Sequence, residues 1–426
     1  MTRVSRRLLP SIASILAVGC AGDAPARDGY TVRDSAGVSI AENRDSAWTS
    51  AVAWRIEPEP FLVIGSRDGA SPGTDFTRIT HAARLSDGRI VVADATSREL
   101  RVFGPGGEFL FRMGGPGEGP GEFRMLDRIA VLRGDSIVAR DVGAFRHVVF
   151  GPDGTPVRTV SGPPILWNGL VAVYVAGWLR DGAYVVSHSP QSSELPPGRN
   201  LIETEWHYFD PAGAHVGRIG RMPVYHAHNI GMGRGPIRLG PRAAVRVTGT
   251  GLWYGFPETY ELRFYTPAGL ERIVRRTWTP EPVPERARES YRTWFAEEYA
   301  PDIPPTAPPS AREQLRALYE ARLEEMTFAD TLPAFASFMV ATDGHLWVQE
   351  HASAEQLGGS AWTWSAPVAL PCWSVFSAEG RWLGTVSTPE DLRVLEIGED
   401  YVMGARTDEL DVPYLALHRI AKPDTP

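Results

Sequence analysis

The sequence of 426 residues predicts an all-β fold, a six-bladed β-propeller that carries a helical insertion. Three observations predict this fold class. Residues 76–107 align without a gap on residues 123–154, at an offset of 47 residues. A tight turn followed by an alternating strand occurs six times, and a strand that ends in a Pro/Gly corner occurs five times. Units of four short antiparallel strands, repeated around a ring, are typical of a propeller.

The N-terminal residues have the pattern of an export signal. Arg3, Arg6 and Arg7 precede an apolar stretch of twelve residues, 8–19. A stretch of this length is too short to span a bilayer, but it is typical of a signal peptide. We therefore predict that residues 1–19 are a signal peptide and that the mature protein is exported.

The end of this signal resembles a bacterial lipobox. Residues 16–20 read Leu-Ala-Val-Gly-Cys, and in a lipobox a small residue precedes a cysteine that is lipidated and becomes the new N-terminus. The resemblance implies that Cys20 is lipidated, that residues 20–29 are a tether, and that the protein is anchored in a bacterial envelope. Ala21 in place of Asp after the cysteine resembles the sorting pattern of the outer membrane. A plain secretory signal that is cleaved nearby is the alternative.

Composition and charge exclude several classes of protein. A hydrophobic fraction of 43% can fill a large core, which excludes a mostly unfolded chain. Removal of residues 1–19 takes away three arginines and no acid, so the formal net charge changes from -8 to -11. Nucleic acids and anionic membranes need a basic surface. We therefore expect no nucleic-acid partner, and contact with the membrane only through the lipid anchor.

The N-terminal part of the mature chain predicts how the ring closes. Residues 30–60 contain two short alternating segments, which predict a hairpin packed outside the propeller. Residues 61–65 resemble an outer strand without three strands before it, and the sixth unit, 392–420, ends after its third strand. We predict that the N-terminal strand completes the last blade of a propeller over 61–422, because this leaves no open sheet edge between the first and last blades.

A helical insertion is predicted over residues 281–332, between blades four and five. The hydrophobic pattern changes there to helical spacing, and a Pro-rich turn separates two predicted helices. Ser310 with Glu313 three residues later is the pattern of a capping box, which predicts that the second helix begins at Ser310. The first helix has aromatic side chains on one face, at Tyr291, Trp294, Phe295 and Tyr299.

The first two units resemble the NHL repeat. Residues 90–94, Ile-Val-Val-Ala-Asp, and 100–103, Leu-Arg-Val-Phe, are similar to its core, and the Gly-rich residues 114–123 lead into the next strand as in that repeat. The resemblance is strong over 61–160. It implies a six-bladed propeller of the kind found in exported bacterial lipoproteins without an assigned activity. NHL-like propellers include protein-binding modules, RNA-binding modules and a few metal-dependent lyases, so the fold does not select a function.

Anion binding is one candidate chemistry. Propellers bind ligands at the mouth of the central channel, where Arg78, His81, Arg128 and Arg242 are expected near the starts of inner strands. The three arginines predict an anion-binding funnel, with ordinary surface ion pairs as the alternative. The repeat offset and the turns give the positions equivalent to His81 in the next four units, which are Arg128, Val175, Ala244 and Ser337. These residues differ in chemistry, so they do not form a ring of like ligands.

Metal binding is a second candidate. His226 and His228 form a His-x-His pair in a predicted loop, and alternate residues of an extended segment face the same way. Both could ligate one zinc ion if His81 or His188 supplied a third ligand. The alternative is that two of the ten histidines lie near each other without a shared function. The metal therefore stays open, with zinc or calcium as the candidates.

Glycan binding is a third candidate. Aromatic rings can stack on sugar faces, and five tryptophans are available for this. Packing between blades is the alternative for these residues, which are Trp167, Trp253, Trp347, Trp362 and Trp364.

The sequence favours a non-enzymatic binding or scaffold module anchored in the envelope. It contains a complete propeller pattern but no complete catalytic set. The channel face and the helical insertion are the expected surfaces for an envelope protein or a glycan. A metal-dependent lyase or hydrolase with its site at His226 and His228 is the alternative function.

Overall fold

The computed structural model describes residues 29–49, 53–66, 72–163, 166–167, 170–190, 196–230, 233–298, 308–353 and 369–423. The predicted signal peptide and Cys20 lie outside the described residues. The described strands form six sheets, one for each predicted blade.

The first half of the chain contains four N-terminal strands and three blades. The N-terminal strands, β1–β4, span Tyr30–Ser35, Val38–Asn43, Arg55–Ile56 and Leu62–Ile64. Blade one, β5–β8, spans Ile79–Arg84, Ile90–Asp94, Glu99–Phe103 and Phe109–Gly114. Blade two, β9–β12, spans Leu126–Val131, Ile137–Asp141, Arg146–Phe150 and Pro156–Ser161. Blade three, β13–β18, spans Leu166–Trp167, Leu170–Trp178, Tyr184–Pro190, Gly198–Phe209, His215–Ile230 and Gly233–Pro236.

The second half contains blades four to six. Blade four, β19–β22, spans Ala244–Val247, Leu252–Gly255, Glu261–Thr266 and Gly269–Arg276. Blade five, β23–β26, spans Ser337–Val340, Leu346–His351, Ala369–Phe376 and Trp382–Ser387. The last three strands, β27–β29, span Arg393–Ile397, Tyr401–Thr407 and Pro413–Ala421.

The core lies between the blades. Hydrophobic side chains alternate to both faces of each central strand, so that each blade contributes to two clusters. Ile90 and Val92 of β6 pack towards blade six, whereas Val91 and Ala93 pack towards blade two. Equivalent clusters of buried side chains lie between the other pairs of adjacent blades. These interfaces hold the inner strands around a common axis.

The ring closes as the sequence predicts. Strand β4 pairs antiparallel with β29, with Ile64 opposite Leu415 and Leu62 opposite Leu417. Blade six therefore has three strands from the C-terminal end of the chain and one from the N-terminal end. The short strand β3 also pairs with β29, through Ile56 opposite Ile420.

The N-terminal hairpin is part of the sheet of a blade, whereas the sequence predicts that it packs outside the propeller. Strand β2 pairs with β1 and, in parallel, with β22, so the hairpin extends the sheet of blade four. The buried Asn43 side chain then connects blade four to blade five. Its Nδ2 donates to the carbonyl oxygens of Arg275 and Gly380, both at 2.9 Å, and its Oδ1 accepts from the backbone N–H of Trp382 at 2.7 Å.

The predicted helical insertion lies between blades four and five. Its helices are α1, Glu285–Glu298, and α2, Pro309–Glu324. The buried side chains of Tyr291 and Phe295 in α1 pack on Ile237, next to the segment that leads into β19. None of the helices in the described ranges is long and apolar enough to cross a membrane.

The predicted capping box at Ser310 is wrong. Helix α2 begins one residue earlier, at Pro309, and its N-cap residue Pro308 makes no side-chain capping bond. Proline is favoured in the first turn of a helix because its fixed φ suits the helix and it lacks an N–H that would stay unbonded there. The prolines therefore set the start of this helix in place of Ser310 and Glu313.

Candidate functional site

A cavity of about 970 Å³ lies where the inner strands of all six blades meet. It extends to the turns that join inner strands to second strands, such as Ser86 to Gly88 and Arg133 to Asp135. We call this cavity the central channel. Each inner strand contributes to its lining, through His81, Arg128, Ala176, Arg246, Met339 and Glu396.

Three arginines from alternate blades surround His81. Arg128 lies in blade two, Arg246 in blade four and Arg393 in blade six. Each guanidinium donates a hydrogen bond to the inner strand of the next blade: to the carbonyl oxygen of Ala176 at 3.0 Å, to Oγ of Ser337 at 3.1 Å, and to the carbonyl oxygen of Thr80 at 3.5 Å. These contacts hold Arg128 and Arg246 in the channel wall and hold Arg393 within electrostatic reach of His81.

His81 is uncharged in this setting. Burial lowers the pKa of its ring to about 3, together with the nearby positive charges of Arg128, Arg246 and Arg393, which act in the same direction. Burial also lowers the pKa of Arg393. A neutral imidazole next to three guanidinium groups leaves this part of the channel strongly positive.

Glu396 places an ionisable carboxyl group in the channel wall. Its Oε1 accepts hydrogen bonds from the Tyr401 hydroxyl at 2.5 Å and from the backbone N–H of Arg84 at 3.1 Å. Burial raises the pKa of the Glu396 carboxyl to about 7, although both hydrogen bonds favour the ionised form. The Arg84 guanidinium lies 5.0 Å from the centre of the Tyr401 ring. Glu396 can therefore be neutral or ionised near neutral pH.

Two of the four predicted channel-mouth residues line the central channel. Arg128 and His81 do so, and they lie close enough to interact electrostatically. Arg78 is exposed and precedes β5. Arg242 is half-buried, with its guanidinium 5.2 Å from the centre of the Tyr225 ring. Neither Arg78 nor Arg242 lines the channel within the described part of the chain.

Arg246, Arg393 and Glu396 are not among the residues that the sequence predicts for this site. Alignment of the turns predicts Ala244 as the equivalent of His81 in blade four, whereas Arg246 lies two residues later on the same strand. Residues two apart on a strand point to the same face. The channel-facing positions of an inner strand therefore include the residue two after the equivalent of His81, which in blade four is Arg246. Glu396 has the same position in blade six, two residues before the turn at Gly398.

The predicted loop around His226 and His228 is a strand. Both residues lie in β17, which pairs with β16 and β18. Nε2 of His226 lies 2.5 Å from Oε1 of Glu258, whereas Nδ1 of His228 lies 2.5 Å from Oγ1 of Thr327. The two rings thus have separate partners.

The third metal ligand expected from His81 or His188 does not join this pair. His81 lines the central channel, and His188 packs against His207, with ring centres 5.2 Å apart. No group of three or more His, Cys, Asp and Glu side chains in the described ranges has the arrangement of a metal site. Metal binding by His226 and His228 stays a prediction.

The tryptophans considered for glycan stacking divide into two groups. Trp253 and Trp347 are buried in the clusters between blades, which agrees with the packing alternative. Their rings are not accessible to a sugar. Trp362 and Trp364 lie outside the described residues, and Trp167 is described only as part of β13.

The first two blades match a known family model. Residues 76–159 match DUF5128, described as a 6-bladed beta-propeller. The chain is a six-bladed β-propeller. No sequence among the curated proteins matches it significantly.

Several solved structures are similar to the chain at low sequence identity. A protein of Bacteroides fragilis described as exported is 12% identical, with a TM-score of 0.48, covering 90% of this chain and 100% of its own. Virginiamycin B lyase of Staphylococcus aureus is 7% identical, with a TM-score of 0.39, covering 87% and 100%. A gluconolactonase of Xanthomonas campestris is 11% identical, with a TM-score of 0.37, covering 88% and 99%. These values are too low to assign an activity to this propeller.

Buried histidines predict that the propeller loses stability in acid. Burial lowers the pKa of His147 and of His188 to about 4, as it lowers that of His81 to about 3. An unfolded histidine has a pKa of about 6.5, so below this pH the unfolded chain binds more protons than the folded chain. The free energy of unfolding therefore decreases as the pH is lowered. Glu396 acts in the opposite direction, because its raised pKa favours the protonated form in the folded state.

We expect the free energy of unfolding to fall by about 2 kcal/mol for His147 alone between pH 7 and pH 4.5. Urea unfolding at these two pH values measures the change, and His147→Gln removes this titrating group. An equal pH dependence in the wild type and the His147→Gln variant would contradict the assignment.

Proposed function

We propose that this protein is a non-enzymatic binding propeller that holds a small anionic molecule in its central channel. The observation that carries the proposal is the convergence of Arg128, Arg246 and Arg393, from alternate blades, around an uncharged His81. The lining of the channel by the inner strands of all six blades supports it.

The chemistry of the arginines favours carboxylate, sulfate or phosphate groups. A guanidinium presents a planar set of N–H donors that match two oxygens of such a group. The attraction between opposite charges is stronger at the partly buried wall of the channel than at an exposed surface. The neutral ring of His81 can add one more N–H donor.

The size of the channel agrees with a small molecule as the ligand. Its volume of about 970 Å³ lies within the range of ligand pockets. The wall also contains apolar side chains, among them Leu85, Trp178, Val247 and Met339. A small organic acid fits this combination of charge and apolar surface better than an inorganic ion alone.

We also propose that the protein works in a bacterial envelope. The signal pattern of residues 1–19 and the lipobox-like segment before Cys20 support export and lipid anchoring at the outer membrane. The acidic net charge supports a role away from nucleic acid. In this setting the propeller presents its channel to small molecules outside the cytoplasm.

Isothermal titration calorimetry with sulfate and malonate tests the channel proposal. The protein for this experiment begins at Ala21, and we expect saturable binding of one anion per chain. Arg128→Gln and Arg246→Gln should each weaken binding by about tenfold or more, because each removes a charged hydrogen-bond donor.

Arg78→Gln is the matched control, because Arg78 is exposed and does not line the channel in the described ranges. It should bind the anions as the wild type does. Circular dichroism melting of each variant checks that the propeller stays folded. No binding by the wild type, or equal weakening by the exposed and channel variants, would overturn the proposal.

A further inference from the structure

Glu396 shares a cavity with the basic residues of the channel. It lies in β27, the inner strand of blade six, and lines the central channel together with Arg128, Arg246 and His81. Its carboxyl group is held by the Tyr401 hydroxyl and by the backbone N–H of Arg84. Its position is therefore fixed by two neighbouring strands, β28 and β5.

Charged groups of both signs share the cavity with this carboxyl group. Arg84 of β5 and Tyr401 of β28 are its direct neighbours, and Arg393 lies on the same strand. The turns at the channel end contribute further charges that line the same cavity, namely Asp87, Arg133, Asp135, Arg180, Glu399 and Asp400. Asp87 is paired with Arg89 at 2.6 Å, and Asp135 accepts from the Ser86 hydroxyl at 2.6 Å.

The two protonation states of Glu396 have opposite effects on a bound anion. An ionised carboxylate in the channel wall repels an anion held by Arg128 and Arg246 in the same cavity. A neutral carboxyl group removes the repulsion and can donate its O–H to an anionic oxygen. The anion therefore binds better when Glu396 carries a proton.

We propose that Glu396 couples anion binding in the channel to proton uptake, so that each anion enters together with one proton that binds to the Glu396 carboxylate. This inference rests on the proposed function of the channel. The proton comes from solvent and binds to a carboxylate oxygen. No bond of the ligand is made or broken.

The titration range of Glu396 makes this coupling measurable. Burial raises the pKa of the carboxyl group to about 7, so an empty channel loses the proton between pH 6 and pH 8. Linkage requires that an anion which prefers the protonated form raises this pKa in turn. His81, with a pKa lowered to about 3, does not change its charge in the same range.

Calorimetry with sulfate from pH 6 to pH 8.5 tests the proposal, because sulfate keeps its charge throughout this range. We expect the affinity of the wild type to fall by about tenfold per pH unit above pH 7, as one coupled proton requires. Repeating the titration at pH 8 in buffers of different ionisation enthalpy should give an uptake close to one proton per anion.

Glu396→Gln is the decisive variant, because an amide resembles the neutral carboxyl group in shape and cannot ionise. Its affinity for sulfate should be independent of pH, with no proton uptake. Glu399→Gln is the control, since Glu399 is an exposed acid at the same channel. It should keep the pH dependence of the wild type.

The outcomes separate this inference from the proposed function. Sulfate binding that is independent of pH in the wild type, or proton uptake that persists in Glu396→Gln, would overturn the role of Glu396 alone. No sulfate binding at any pH would overturn the channel proposal as well. Carbon-13 NMR of glutamate carboxyl groups in the wild type gives a second readout if the variant does not fold. One carboxyl should titrate near pH 7, and sulfate should raise its pKa.

Discussion

Replacing Asp141 by alanine is expected to lower the free energy of unfolding by about 3–5 kcal/mol. The Asp141 side chain is fully buried. Its Oδ1 accepts from the backbone N–H groups of Met125 at 2.9 Å and Ala144 at 3.2 Å, and its Oδ2 accepts from that of Arg124 at 3.1 Å. Nε of Arg146 also donates to Oδ2, at 3.2 Å. Alanine would leave all four donors without this acceptor.

The same arrangement occurs in blade one, which explains why it belongs to the repeat. Asp94, 47 residues earlier, accepts from the backbone N–H groups of Thr77, Arg78 and Thr96 at 2.9–3.1 Å. Each aspartate thus fixes the segment that enters its inner strand. Loss of Asp141 should loosen the start of β9, which carries Arg128 into the channel.

Urea unfolding followed by tryptophan fluorescence measures this effect. Asp153→Ala is the matched control, since Asp153 is an exposed turn residue of the same blade whose hydrogen bonds are local, to Thr155. It should leave the unfolding midpoint close to that of the wild type. A loss of less than about 1 kcal/mol in Asp141→Ala would show that water replaces the carboxylate at little cost.

The internal repeat made the ring of blades predictable, but not the way in which the N-terminal hairpin joins it. Two units aligned at a fixed offset are enough to place their turns and corners, and the missing fourth strand of the last unit then implies closure by residues 61–65. The parallel pairing of β2 with β22 has no such signal. It joins segments more than 200 residues apart, and a hairpin that extends one blade has the same local pattern as one packed outside.

Blade three shows why strand ends were harder to predict than strand centres. Strand β17 is 16 residues long and contains glycines, arginines and a proline, so only part of it alternates in hydrophobicity. Its pairing with β16 stabilises the rest of the strand. His226 and His228 were therefore assigned to a loop, although tertiary pairing makes that segment extended.

The channel was predictable in position but not in its chemistry. The sequence predicted basic residues near the inner strands, and Arg128 and His81 lie in the channel. Arg246 lines the channel and Arg393 acts on His81 because their side chains reach the inner strands of neighbouring blades. The raised pKa of Glu396 depends on its burial in the assembled ring, which no local pattern records.

Replacing Ile64 by aspartate is expected to lower the free energy of unfolding by at least about 3–5 kcal/mol, because the variant places a charge in the apolar core. Ile64 is 2% exposed and lies in the cluster between blades six and one, together with Phe76, Phe103 and Leu415. It belongs to β4, the strand that closes the ring. The substitution should release β4 and expose the edge of β29.

Val63→Asp is the matched control within the same strand. Val63 precedes Ile64, is 47% exposed, and points to the opposite face, so its replacement should leave stability close to that of the wild type. Thermal melting and size-exclusion chromatography measure both variants. We expect Ile64→Asp to melt at a lower temperature and to associate through the released edge of β29, since an unpaired strand edge accepts strands from other chains. Equal stability of the two variants would contradict closure by β4.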